Sequence, residues 1–251
     1  MQRTIVAGAV VFFAVAATGL AVASPGDTSR AQSAGASTMP TTPGTHQLTL
    51  PDGRRYTLVI PEGYTGTEPV PLVMSLHYGG NVTPFYGRGL VDTLIGPALG
   101  ELGAIVVAPD NVTRGWANPE GEAHVVALLD HVGAHYRIDP ARTLLTGYSM
   151  GGMGTWYLAP RLADRFTAAI PMAGRPQDDS TTREWPIPMY VIHSTADEVV
   201  AIGPTRTAVA QLKSHGAPIE LVVVDGITHF EMARFQPHLK AALPWIRRTW
   251  K

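Results

Sequence analysis

The segment Thr146-Gly147-Tyr148-Ser149-Met150-Gly151-Gly152 places the pattern G-x-S-x-G at the junction of two different hydrophobic patterns. A short apolar strand, Thr143 to Thr146, leads into it, and a helical pattern carrying Trp156, Tyr157 and Leu158 leads out. A chain that passes from strand to helix this abruptly crowds its own backbone. The flanking positions therefore need side chains that stop at hydrogen, and Gly147 and Gly151 supply them. The turn lifts Ser149 into a cleft at the carboxyl ends of the strands, where the unpaired N–H groups of the new helix favour negative charge. The plain alternative is a glycine-rich turn that merely contains a serine. The strand, the helix and the residues that follow argue against it.

A serine hydroxyl is a poor nucleophile until a base takes its proton, so a histidine held by a carboxylate is expected downstream, in the order serine, acid, histidine. His229 lies in Asp225-Gly226-Ile227-Thr228-His229-Phe230, directly after the last apolar strand. Asp197 follows the preceding strand in His193-Ser194-Thr195-Ala196-Asp197-Glu198-Val199-Val200. Both positions fall at strand carboxyl ends, from which Asp197 can fix the imidazole tautomer while His229 exchanges the proton. Glu198 and Asp225 are the rival acids. Acyl transfer also needs donors for the developing oxyanion. One is the backbone N–H of Met150, next after the nucleophile. The second is expected from Leu76-His77-Tyr78-Gly79-Gly80-Asn81, a variant of the HGGG-type loop, through the N–H of Gly79 or Tyr78 or through the Tyr78 hydroxyl. Gly79 is preferred. His77 reads as a brace for that loop. Trp116 and Trp185 are expected to wall the substrate pocket, with packing as the competing role.

Eight candidate strands run through the chain: Gln47 to Leu50, Tyr56 to Ile60, Leu72 to Leu76, Ala104 to Ala108, Thr143 to Thr146, Ala168 to Pro171, Met189 to His193 and Glu220 to Val224. The later ones are continuous apolar runs, as in strands buried on both faces of a parallel sheet. The first two, separated by Pro51-Asp52-Gly53, suggest an antiparallel hairpin. Helical patterns fill residues 85–101, 119–136, 150–163, 203–215 and 231–249, and this alternation predicts a doubly wound, mainly parallel α/β sheet without a large lid. In the second helix Val125, Leu128, Leu129, Val132 and Tyr136 share one apolar face. His124, His131 and His135 line an edge of the same helix. An i, i+4 histidine pair can hold a metal, but without a third ligand they read as a polar edge, and no metal or organic cofactor is expected.

After Arg3, residues Ile5 to Ala23 carry no charge and close on Ala21-Val22-Ala23, an A-x-A cleavage signal. Residues 1–23 are therefore expected to be a signal peptide directing export, the alternative being an uncleaved membrane anchor with the domain outside. From Ser24 to Thr45, 15 of 22 residues are Ser, Thr, Pro or Gly, which predicts a disordered linker and places the catalytic domain at 46–251. Zero cysteines exclude disulfides, thiolate metal sites and a cysteine nucleophile. A net charge of -1 without a basic block argues against nucleic acid as a partner, and after cleavage no stable membrane insertion is expected. Oligomeric state is not legible.

The segments Pro71 to His77, Val107 to Asp110, Ile138 to Gly152 and Arg165 to Pro171, with the Asp197 and His229 loops, resemble the α/β-hydrolase superfamily. Within it the chain is similar to the secreted esterase and polyhydroxybutyrate-depolymerase-like, or predicted-peptidase, group. The resemblance covers most of residues 47–250. It implies a Ser149-His229-Asp197 triad and hydrolysis of ester or related acyl bonds, with a small-molecule or polymeric ester as substrate. One departure stands out: Tyr78 replaces the usual glycine after His77. Tyr78-Gly79-Gly80 is similar to the loop of prolyl-oligopeptidase-like enzymes, in which the tyrosine hydroxyl serves the oxyanion. The expected activity is a carboxylesterase-type serine hydrolase. A peptidase and a non-catalytic binding protein on the same fold remain as alternatives.

Overall fold

The computed structural model describes residues 39–111, 113, 115–177 and 185–251. The expected signal peptide and the first part of the expected linker lie outside them. Among the described residues eight strands form one sheet: β1 (Gly44–Thr49), β2 (Arg55–Ile60), β3 (Val70–Leu76), β4 (Ile105–Pro109), β5 (Ile138–Tyr148), β6 (Ala168–Met172), β7 (Met189–Ser194) and β8 (Ile219–Val224). Their order across the sheet is β1-β2-β4-β3-β5-β6-β7-β8. β2 pairs antiparallel with both β1 and β4, and every other pairing is parallel. The hairpin expected around Pro51-Asp52-Gly53 closes with Gly53 at φ 88°, a left-handed conformation that costs glycine nothing.

Apolar residues that alternate along the strands face two separate cores. Leu72, Met74, Leu76 and Leu145 pack on one face beneath α3 (Pro119–His135), α4 (Met150–Leu158) and α5 (Ile202–Ser214). Val73, Leu144 and Ile192 face the other, covered by the turns between β3 and β4 and by the C-terminal helices. Such strands are apolar on both sides, which is why they read as continuous hydrophobic runs. α3 begins where the Asn118 side chain accepts from the Gly121 N–H at 2.9 Å, and its predicted apolar face is buried.

Three expected helices are shorter or broken. Residues 85–101 form α1 (Gly87–Leu90), a π turn (Val91–Ile95), α2 (Gly96–Leu99) and a 3-10 turn (Gly100–Leu102). Within the π turn the Gly96 N–H reaches back to the Val91 carbonyl, and the next residue, Pro97, has no N–H to continue an α ladder. Residues 231–249 split into a 3-10 turn (Met232–Phe235), α6 (Gln236–Lys240) and α7 (Leu243–Thr249), with Pro237 and Pro244 just inside the two helix starts. α4 stops at Leu158 ahead of Pro160.

The domain also starts earlier than the expected His46. β1 opens at Gly44, and Met39 packs against the core. The Tyr136 hydroxyl donates to the Pro40 carbonyl at 2.8 Å. Residues 39–45, expected in the disordered linker, thus belong to the domain, because the linker's one large apolar side chain finds a buried partner.

Candidate active site

Ser149 connects β5 to α4 at φ 55° and ψ -114°, a backbone conformation that non-glycine residues rarely adopt. Packing holds it there. A methyl group on Gly151 would overlap the Leu76 carbonyl oxygen, one on Gly152 the Met172 carbonyl oxygen, and one on Gly147 the backbone of Gly151. The glycines therefore answer to space, with the helix seated directly on the ends of β3 and β6. The Ser149 N–H donates to the Met172 carbonyl at 3.0 Å, locking the turn to β6.

The structure brings Ser149, His229 and Asp197 together. Ser149 Oγ lies 2.7 Å from His229 Nε2, and His229 Nδ1 lies 2.8 and 2.9 Å from the two oxygens of Asp197. Nδ1–H donates to the carboxylate, so Nε2 presents a lone pair to the serine hydroxyl. Asp197 Oδ1 also accepts from the N–H groups of Val199 (3.0 Å) and Val200 (2.7 Å). The buried carboxylate is thereby held in one orientation.

The rival acids sit elsewhere. Glu198 accepts from the backbone N–H of His229 at 3.0 Å, and Asp225 accepts from the Thr195 hydroxyl at 2.8 Å. The Tyr148 hydroxyl donates to the His229 carbonyl at 2.8 Å. Burial pushes that phenol well up, as do the charges of Asp197, Glu198 and Glu231, and it stays a donor. The His229 backbone is thus clamped at both its N–H and its carbonyl. His193, fully buried, donates from Nε2 to the Val200 carbonyl at 2.7 Å and lies 3.6 Å from Asp197 Oδ2. Burial holds it below the usual imidazole range, the Val200 and Asp197 contacts opposing. The sequence marks neither Tyr148 nor His193 as a support and Glu198 only as a rival acid, although a histidine closing an apolar strand four residues before Asp197 is a visible signal.

The loop after β3 meets the elbow from the other side. A β-carbon on Gly79 would stand 3.8 Å from the Met150 side chain, and Gly79 lines the same cleft as Ser149. Met150, as the first residue of α4, has no intrahelical acceptor for its N–H. His77 accepts from the Asn111 N–H at Nε2 (2.9 Å) and donates from Nδ1 to the Tyr78 carbonyl (2.7 Å), which ties this loop to the one after β4. The Tyr78 ring lines the cleft, edge-on to Tyr86 with centroids 5.3 Å apart, and its hydroxyl reaches toward Gly89.

The cleft over Ser149 measures about 490 Å³ and is walled by Tyr78, Tyr148, Val199, Phe230 and Met232. Among the described residues that line it, none is Lys, Arg, Asp or Glu. The two tryptophans expected there are not among its walls. Trp116 is fully buried, its indole N–H donating to the His77 carbonyl at 3.0 Å. Trp185 packs edge-on against Trp156 in the core. A large apolar ring gains more by packing in the core than by standing in solvent. Along α3, His135 donates from Nδ1 to the His131 carbonyl and His124 stacks on Trp116.

A family model described as "Dienelactone hydrolase family" matches residues 103–242. A probable feruloyl esterase C of Aspergillus terreus is 33% identical over 177 residues, covering 68% of this chain and 64% of the relative. Feruloyl esterase C of Emericella nidulans is 33% identical over 185 residues, with the same shares covered. The chain thus spans a little under two thirds of the curated relatives it matches. Among solved structures, a thermostable esterase superposes with a TM-score of 0.68 at 23% identity, over 81% of this chain and 62% of that one. That likeness establishes the α/β-hydrolase fold.

Proposed function

The chain belongs to the dienelactone hydrolase family, and from that footing we propose that it is an exported serine hydrolase cleaving carboxylic esters through an acyl-enzyme on Ser149. The observation that carries this reading is the hydrogen-bonded chain from Ser149 Oγ through His229 to the buried Asp197, open to an uncharged cleft.

Ser149 Oγ attacks the ester carbonyl as His229 Nε2 takes its proton, and Asp197 stabilises the imidazolium. The carbonyl oxygen, now anionic, lies against the N–H groups of Met150 and Gly79, donors of a kind worth about 3–4 kcal/mol in the transition state. His229 returns the proton to the alcohol oxygen as the C–O bond breaks. Water then repeats the sequence on the acyl-enzyme and frees the acid. The named relatives are feruloyl esterases, and an uncharged cleft walled in part by Tyr78 and Met232 suits the aromatic acid of such an ester. Esters of aromatic acids are therefore the proposed substrate class.

Residues 24–251, purified, are expected to react with a fluorophosphonate probe and to hydrolyse aryl and feruloyl esters faster than aminoacyl amides. Ser149→Ala should abolish both labelling and turnover without lowering the melting temperature by more than a few degrees. Undiminished labelling of Ser149→Ala would refute the nucleophile, and faster amide cleavage would favour a peptidase.

A further inference from the structure

Two of the large hydrophobic side chains that stand exposed among the described residues lie at the mouth of this cleft: Phe230, 80% exposed, and Val199, 55% exposed. We infer that Phe230 and Val199 form the subsite for the alcohol half of the ester and select alcohols that carry a ring; this rests on the esterase reading above.

The sheet order decides which half of the substrate they meet. Ser149 follows β5, the Gly79 loop follows β3 on one side of it, and the Asp197 and His229 loops follow β7 and β8 on the other. The oxyanion therefore points to the β3 side. The alcohol oxygen must lie within hydrogen-bond reach of His229 Nε2, since that atom supplies its proton. Whatever the oxygen carries then runs out over the residues beside His229. Phe230 is the next residue, its ring 5.7 Å from the imidazole and inclined at 86°. Val199 belongs to the turn whose N–H groups hold Asp197. An apolar ring exposed to this degree gains most when a flat partner covers it, and aromatic faces do so with defined geometry.

Acylation forms the Ser149 Oγ–C bond, breaks the bond to the alcohol oxygen and sends the His229 proton to that oxygen. The alcohol has left before deacylation begins. A side chain that touches only the alcohol must therefore change acylation and spare deacylation.

Benzyl acetate and methyl phenylacetate are isomers that carry one ring on the alcohol and on the acyl side respectively. Phe230→Ala and Val199→Ala should each lower kcat/KM for benzyl acetate about tenfold relative to methyl phenylacetate, roughly the worth of one apolar contact surface. Deacylation of the acetyl-enzyme, read from the 4-nitrophenyl acetate burst, should stay within about twofold of wild type. Cyclohexylmethyl acetate separates a saturated ring, like that of a sugar, from an aromatic one: an equal loss there assigns ring shape, and no loss assigns aromatic stacking. Equal losses on the two isomers, or a slowed deacylation, would overturn the assignment. If wild type hydrolyses neither isomer nor 4-nitrophenyl acetate while Ser149 is still labelled, the esterase reading fails first and the subsite with it.

Discussion

Asp197 Oδ1 accepts from two backbone N–H groups, and that decides what an amide would do in its place. In Asp197→Asn the carbonyl oxygen must keep those two donors, so the NH2 group falls opposite His229 Nδ1. Donor then faces donor, the imidazole flips its tautomer, and Nε2 loses the lone pair that receives the serine proton. The expected loss in kcat is about 10³- to 10⁴-fold. Glu198 touches only the His229 backbone N–H, and Glu198→Gln keeps an acceptor there, so its kcat should fall less than about tenfold. Steady-state kinetics on one aryl ester compare the two directly, and a reversed order would move the acid to Glu198. Tyr78 is the second test at this scale. Its hydroxyl reaches toward Gly89 and its ring packs on Tyr86, so Tyr78→Phe keeps the wall and should cost less than about tenfold in kcat. A fall of two decades would transfer the second oxyanion donor from the Gly79 N–H to the phenol and favour the peptidase-like alternative.

α3 carries a titration that the whole domain feels. His124 lies buried on it, stacked on Trp116, and burial, with the charge of Arg54 adding, holds its pKa down to about 4 from 6.5. Below pH 6.5 the unfolded chain binds a proton there that the native helix refuses until about pH 4. The unfolded state binds more protons in that window, so stability is full above pH 6.5 and falls as the pH drops toward 4. His77 and His193, also held down chiefly by burial, act in the same sense. Urea midpoints measured from pH 7 to pH 4.5 should decline, and His124→Phe, which keeps a ring on Trp116, should flatten part of the slope. An unchanged slope would remove His124 as a source. The elements also show where periodicity misleads: α1 to α2 and α6 to α7 each read as one helix because the apolar period continues through Pro97, Pro237 and Pro244, while the backbone ladder does not.

For the molecule as a whole, the uncharged stretch ending in Ala21-Val22-Ala23 predicts cleavage between Ala23 and Ser24, and N-terminal sequencing of extracellular protein should begin at Ser24. An intact Met1 terminus in the membrane fraction would favour the anchor. Strand positions, the helix α3 and the elbow around Ser149 were legible in the chain because each rests on residues that are neighbours in sequence: a period of two, a period of 3.6, a turn that tolerates only glycine. The start of the domain was not, since Met39 and Pro40 are ordered by partners at Tyr56 and Tyr136. Nor were the walls of the cleft. Trp116 and Phe230 both follow strand ends, and nothing local tells that the first is buried under the His77 loop and the second stands 80% exposed beside His229. That choice depends on which loops the sheet order β3-β5-β6-β7-β8 brings to one edge, and the order is set by long-range packing on both faces of the sheet. The same convergence lets Asp197, rather than Glu198 or Asp225, meet the imidazole. The sequence by itself determined the elements and the reactive types they carry; which side chains face the cleft, and which acid holds the histidine, only the tertiary structure decided.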